Sequence, residues 1–261
     1  LSSAASDVYK RQDMLNNDFL DALAYTGYDV QTLKDDGRIF KKYGSALEGT
    51  AVLSGIGYDS SYRCSGLEKN SAGVPDIAKF RQNGLCCASY VSYVYFNYLT
   101  NIAGVDTSGI SRPDNLCSTV SWNKAANGWV SSGKARRISF TQNANGSGFV
   151  ANEDIPIGSL IVFKSITNGN IAHVALYAGK YSGKNFITHV GNDRGPEIGT
   201  IEGMTKGGSP EAVAQIVVPE FVGESGRIEV YKKDPGGKNL AGAYFTATNT
   251  CLLYTSPSPR D

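Results

Sequence analysis

The reactive side chains of this 261-residue chain are few: two histidines and five cysteines. Cys86 and Cys87 open the stretch Gly84-Leu-Cys-Cys-Ala-Ser-Tyr-Val-Ser-Tyr-Val-Tyr-Phe-Asn-Tyr-Leu99. A cysteine in the first turn of a helix faces unpaired backbone N–H groups and the positive end of the helix dipole. Both favour thiolate over thiol and make the sulfur a better nucleophile. Such a nucleophile needs a base to take its proton, and the base needs a polar partner that fixes its tautomer and orientation. His173 and His189 are the candidates, each in a predicted strand, the two strands adjacent in sequence. If those strands pair, both imidazoles can reach one face. The expected set is Cys87 as nucleophile, His173 as base and His189 as its orienting partner. Read singly, each of the three is equally at home as a buried structural residue. Cys86 points roughly 100° away from Cys87 around the same helix, so the two do not share the role.

The elements that must hold these groups follow from periodicity. Val91, Val94, Tyr95, Tyr98 and Leu99 recur at three- and four-residue spacing, which predicts a buried helix despite a β-branched and aromatic composition. Upstream, Asp18–Tyr25 reads as a short amphipathic helix ended by Gly27, with a second start in 29–34. Residues 37–75 read as loops with short elements, and Pro75–Arg81 as a helical turn. Thr107–Leu116 reads as a loop and Ser118–Val130 as a helix anchored by Val120, Trp122 and Trp129. From Arg136 onward the texture is β. Runs at 159–164, 171–178, 185–190 and 212–218 are separated by glycine and asparagine turns, as an antiparallel meander requires. Helices first and strands after indicate an α+β domain.

Four segments resemble the NlpC-type cell-wall cysteine peptidases, which have a papain-like fold. Cys87-Ala-Ser-Tyr-Val91 is similar to the Cys-Ser-Gly-Phe-Val signature that opens their catalytic helix. Ile155-Pro-Ile-Gly-Ser-Leu-Ile-Val-Phe163 resembles their Pro-x-x-Gly-Asp-Leu-Val-Phe-Phe strand, and His173-Val-Ala-Leu-Tyr-Ala-Gly179 their His-Val-Gly-Ile-Tyr-x-Gly strand. Phe186-Ile-Thr-His189 matches the Phe-Ile-His element that follows. The likeness spans roughly 37–218 and is strongest over 155–191. It implies a helix-borne Cys87 packed on a small antiparallel sheet, with His173 as general base and His189 as the third catalytic residue. The implied activity is hydrolysis of an amide in peptidoglycan stem peptides. There are departures. Cys86 stands where the signature carries aspartate, and Ser89 where it carries glycine. The 86 residues between Cys87 and His173 exceed the usual separation, so 101–150 reads as an insertion. Arg63-Cys-Ser-Gly-Leu67 is a closer literal match to the signature, but the Glu68–Pro75 segment after it has no apolar helical face. Helix context therefore selects Cys87 over Cys64. An upstream tyrosine near the family's active site would correspond to Tyr58 or Tyr62, a weak inference among 15 tyrosines.

The ends read differently. Residues 1–12 and 251–261 resemble in-frame translations of sequencing-library adapters, the expectation for an assembled gene fragment. Between them, 13–221 reads as the peptidase domain. Gly226-Arg-Ile-Glu-Val-Tyr-Lys-Lys-Asp and Leu240-Ala-Gly-Ala-Tyr-Phe resemble the first strands of a Cna B-type (SpaA-like) surface module. On that likeness 226–250 is a truncated β-sandwich, and Lys232 or Lys233 would be its isopeptide lysine, though ordinary surface charge serves equally. Such modules form stalks on Gram-positive cells, which implies a secreted or cell-surface monomer. A formal charge of +1 gives no reason to expect nucleic acid or an anionic membrane as partner, and no apolar run reaches bilayer-spanning length. Two histidines and scattered cysteines show no zinc-ligand spacing, so no metal or cofactor is implied. Cys64, Cys86, Cys87 and Cys117 leave room for one disulfide, though an even count in a chain this long does not specify one. Two alternatives stand beside the wall hydrolase. One is an amidase of the same superfold with a non-wall substrate; the other is a surface protein whose peptidase-like domain only binds.

Overall fold

The computed structural model describes residues 51–52, 56–101, 105–181, 183–191, 195–206 and 210–222. The predicted helix Asp18–Tyr25, both adapter-like ends and the Cna B-like segment 226–250 lie outside the described residues. The fold is α+β. Its elements are β1 (Ala51–Val52), α1 (Ile77–Asn83), α2 (Cys87–Tyr93), α3 (Leu99–Asn101), α4 (Thr119–Ser131), β2 (Ala135–Ile138), β3 (Phe140–Thr141), β4 (Val150–Ala151), β5 (Leu160–Ser165), β6 (Ile171–Tyr181), β7 (Lys184–Gly191), β8 (Gly195–Thr200), α5 (Ile201–Met204) and β9 (Glu211–Pro219). A π-helical segment, Val94–Tyr98, joins α2 to α3 without a break.

Seven strands form one antiparallel sheet in the order β1-β8-β7-β6-β5-β9-β2. The meander β5–β8 is local, whereas β9 returns beside β5 and takes β2 as its outer neighbour. Strands β5 and β9 are buried on both faces and are accordingly near-continuous apolar runs. On one face Val174, Leu176, Phe186 and Val190 pack with the Cys87 helix and with Trp122 and Trp129 of α4. Ile161, Phe163, Ala175 and Ile187 form a second core on the other face, beneath Phe149 and Ile201. Within 101–150, read from sequence as an insertion, lie a core helix and an edge strand of the main sheet.

The helix that carries Cys87 is held by its surroundings rather than by propensity. Every residue from Ala88 to Leu99 is buried, so β-branched and aromatic side chains are favoured by packing where they would weaken an exposed helix. Its start is fixed by a capping box. Ser89 N–H donates to the Cys86 sulfur at 3.4 Å, and the Cys86 N–H donates to Ser89 Oγ at 2.9 Å. Tyr95 ties the helix to the sheet through a 2.6 Å bond from its hydroxyl to the Gly158 carbonyl. Gly66, at φ +85°, lies so close that a Cβ there would collide with the Ser89 carbonyl and meet the Tyr93 nitrogen at 2.6 Å. Only glycine fits that position.

Candidate functional site

The cap explains Cys86. A helix N-cap must offer an acceptor to a first-turn N–H, a task aspartate performs well; here the sulfur performs it. Contact with the Cys117 thiol and the Ser89 and Ala88 donors lower the Cys86 thiol to about 6. Ser89, the second departure from the resembled signature, is the reciprocal half of the same cap. The Ser89 N–H is bound to the Cys86 sulfur and the Tyr90 N–H to the Cys86 carbonyl, which satisfies two donors of the first turn.

Cys87 is the first helical residue and is half-buried in the wall of a cleft of about 710 Å³. The same cleft is lined by His173, Tyr58, Tyr62, Cys86, Cys117 and Glu211. Burial pushes the Cys87 thiol up to about 12, and the neighbouring Cys86 adds to this. The Val174 and Ala88 N–H groups act in the opposite sense. At neutral pH the sulfur is therefore a protonated thiol.

The two imidazoles meet. His173 Nε2 lies 3.0 Å from His189 Nδ1 with the rings edge to face. His173 stands opposite Phe163 across β5, after a bulge between Phe163 and Lys164, and its ring centroid is 6.0 Å from that of Phe163. Bulges of this kind re-aim side chains beside functional sites. Burial, reinforced by His189, holds the His173 imidazole well below its usual value, so it rests neutral. Because Nε2 is engaged by His189, Nδ1 is the nitrogen left for proton exchange. Among the described residues no hydrogen bond joins the Cys87 thiol to His173. The sulfur and the ring reach the cleft from different sides: the first at the tip of α2, the second from the sheet face shared with Phe163.

Behind His189 stands Glu197, opposite it in register on β8, with Oε1 3.6 Å from His189 Nε2. Gly199 makes room for this arrangement, since a Cβ there would come within 2.7 Å of His189 Nε2. His173, His189 and Glu197 thus form a line across the neighbouring strands β6, β7 and β8. Neither Glu197 nor Glu211 was singled out from the sequence; Gly195-Pro-Glu-Ile-Gly-Thr200 has the glycine and proline content of a loop. Tyr58 lies in the cleft wall, its hydroxyl pushed up to about 12 by burial and by Tyr62. The rival Cys64 is fully buried, and burial raises its thiol to about 11; its N–H is bound by Asp59 at 2.8 Å. The four described cysteines are all free thiols. Among the described residues no cluster of His, Cys, Asp or Glu is arranged to hold a metal ion, and no helix is long and apolar enough to cross a membrane.

No protein-family model, curated protein or solved structure matches the chain.

Proposed function

We propose that the chain is a cysteine hydrolase of papain-like architecture that cleaves an amide bond in peptidoglycan stem peptides. One observation carries the reading. A helix-tip cysteine and a histidine buttressed by a second histidine at 3.0 Å line one cleft. The resemblance to NlpC-type peptidases in four segments supplies the substrate class.

In this mechanism both groups begin neutral. The scissile carbonyl settles over Cys87, and His173 Nδ1 takes the thiol proton as the sulfur attacks. His189 holds the ring through Nε2 and shares the positive charge that forms. The oxyanion of the tetrahedral intermediate accepts from the Cys87 N–H at the helix tip, where the dipole favours negative charge. The C–N bond breaks as the imidazolium returns its proton to the departing amine. A water, deprotonated by His173, then hydrolyses the thioester and restores the thiol. Proton shuttling of this kind contributes about 10²–10⁴-fold.

The test is a digest of purified peptidoglycan read by mass spectrometry. New amine and carboxyl ends are expected within stem peptides with the parent protein. Cys87→Ala should produce none, and activity retained in that variant would overturn the assignment. A second reading, a domain that binds without cleaving, draws on the missing hydrogen bond between Cys87 and His173. Iodoacetamide at neutral pH separates the two. The hydrolase reading expects Cys87 to be alkylated faster than Cys64 or Cys117 and to slow in His173→Ala. Equal, slow reaction of all thiols favours the binding domain.

A further inference from the structure

Glu211 opens β9 in the wall of the cleft that holds Cys87 and His173. Its Oε2 is buried and makes no hydrogen bond among the described residues. The residue as a whole is half-buried, and a buried carboxyl oxygen normally has a donor or a cation beside it, because leaving it unsatisfied is costly. This cleft provides no lysine or arginine: its titratable lining is Tyr58, Tyr62, three cysteines, His173 and Glu211 itself. His173 rests neutral and is already engaged by His189, so it does not neutralise the carboxyl. Among the described residues, then, no side chain of the cleft lining pairs with this oxygen.

We propose that Glu211 is a specificity-determining residue that receives a primary ammonium group of the substrate. The inference rests on the hydrolase reading for its substrate, but the ammonium subsite is a property of the cleft itself. Three features fit. The orphan oxygen supplies an acceptor in the cleft wall, and no cation of the described lining occupies it. The carboxyl also acts electrostatically on the Cys87 thiol, which places it within range of the reacting centre. Burial raises its titration to about 7, so an arriving ammonium would draw it fully into the carboxylate form.

The experiment uses the intact chain in two arms. The first compares mixed-disulfide formation at Cys87 by cationic 2-aminoethyl methanethiosulfonate and neutral methyl methanethiosulfonate, located by peptide mapping to separate Cys87 from Cys86 and Cys117. In each reaction the thiolate displaces methanesulfinate and the S–S bond forms without any other co-reactant. The ratio of cationic to neutral rates should fall about tenfold to a hundredfold in Glu211→Gln, the range expected for a hydrogen bond to a charged group. Glu211→Asp should retain part of the preference, and a circular-dichroism spectrum matching the parent shows that neither variant has unfolded. An unchanged ratio overturns the proposal. The second arm compares a stem-type peptide bearing a free amine with its N-acetylated twin. A preference for the free amine, lost in Glu211→Gln, supports the subsite in catalysis, and equal turnover of both peptides by the parent overturns it. If the parent hydrolyses neither peptide, the hydrolase reading falls, while the reagent ratio still decides the ammonium subsite.

Discussion

A thiol raised to about 12 and an imidazole held below its usual value set the charge state of the resting site. On the proposed hydrolase reading the pair starts from its neutral form, unlike a preformed thiolate–imidazolium pair, and the pH profile separates the two. The base is competent once His173 is deprotonated, which happens below the ordinary histidine value of about 6.5. The nucleophile keeps its proton until far into alkali. kcat/KM is therefore expected to stay level from about pH 7 upward through the mildly alkaline range, and to fall only as acid protonates His173. An N-acetylated substrate should be used for the measurement, so that Glu211, titrating near 7, does not shape the curve. A rise centred at or above pH 7 would argue against the neutral pair. Cys86 is the exception among the thiols. Its value near 6 belongs to a cap, and at 1% exposure it is poorly placed to attack anything.

Among the elements, the helix α2 depends on one glycine of a preceding loop. Gly66→Ala would add a Cβ against the Ser89 carbonyl while forcing a left-handed backbone, a combination worth roughly 2–4 kcal/mol of stability. A fall in thermal midpoint accompanied by faster Cys87 alkylation is expected, because the helix tip must shift to accommodate the methyl. The helix itself was legible in the sequence, since three- and four-residue spacing survives whatever the composition. So were α4 and the strands β5, β6, β7 and β9, each within one to three residues at its ends; glycine, asparagine and proline mark their turns. Strand β8 was not legible. Gly199 is there because His189 occupies the space a side chain would fill, and Pro196 stands opposite Val190, so the strand lacks the β-branched signal. Glu197 was hidden with it. Glu211 was hidden differently: nothing in a sequence distinguishes a carboxylate that opens a strand into a cleft from one that faces water. The sequence placed Cys87 at a helix start and the two histidines on neighbouring strands, but could not show that the thiol and the imidazole approach from different sides.

At the scale of the molecule, the helical layer and the sheet share one aromatic centre. Trp122 is fully buried, stacks on Phe96 at 5.9 Å and meets Tyr95 and Trp129 edge-on. Trp122→Ala is expected to cost about 3–5 kcal/mol and to bring loss of near-ultraviolet ellipticity at or near ambient temperature. The residue lies within 101–150, so excision of that segment would remove the centre of the helical core. Long-range closure is also built in: β9 pairs with β5 and β2, elements some 50 and 80 residues earlier in the chain. Those contacts make formation of the sheet slow relative to a local meander.

The strand that carries His173 is the middle one of seven, with three neighbours on either side. Opening it requires opening the sheet. Its amides should therefore be among the last to exchange with deuterium, on the timescale of global unfolding, whereas those of the helix tip around Cys87 and of the 107–116 loop should exchange sooner. On the proposed hydrolase reading, His173 is then a fixed point against which the cleft adjusts, and a motion that brings sulfur and ring together belongs to the helix side.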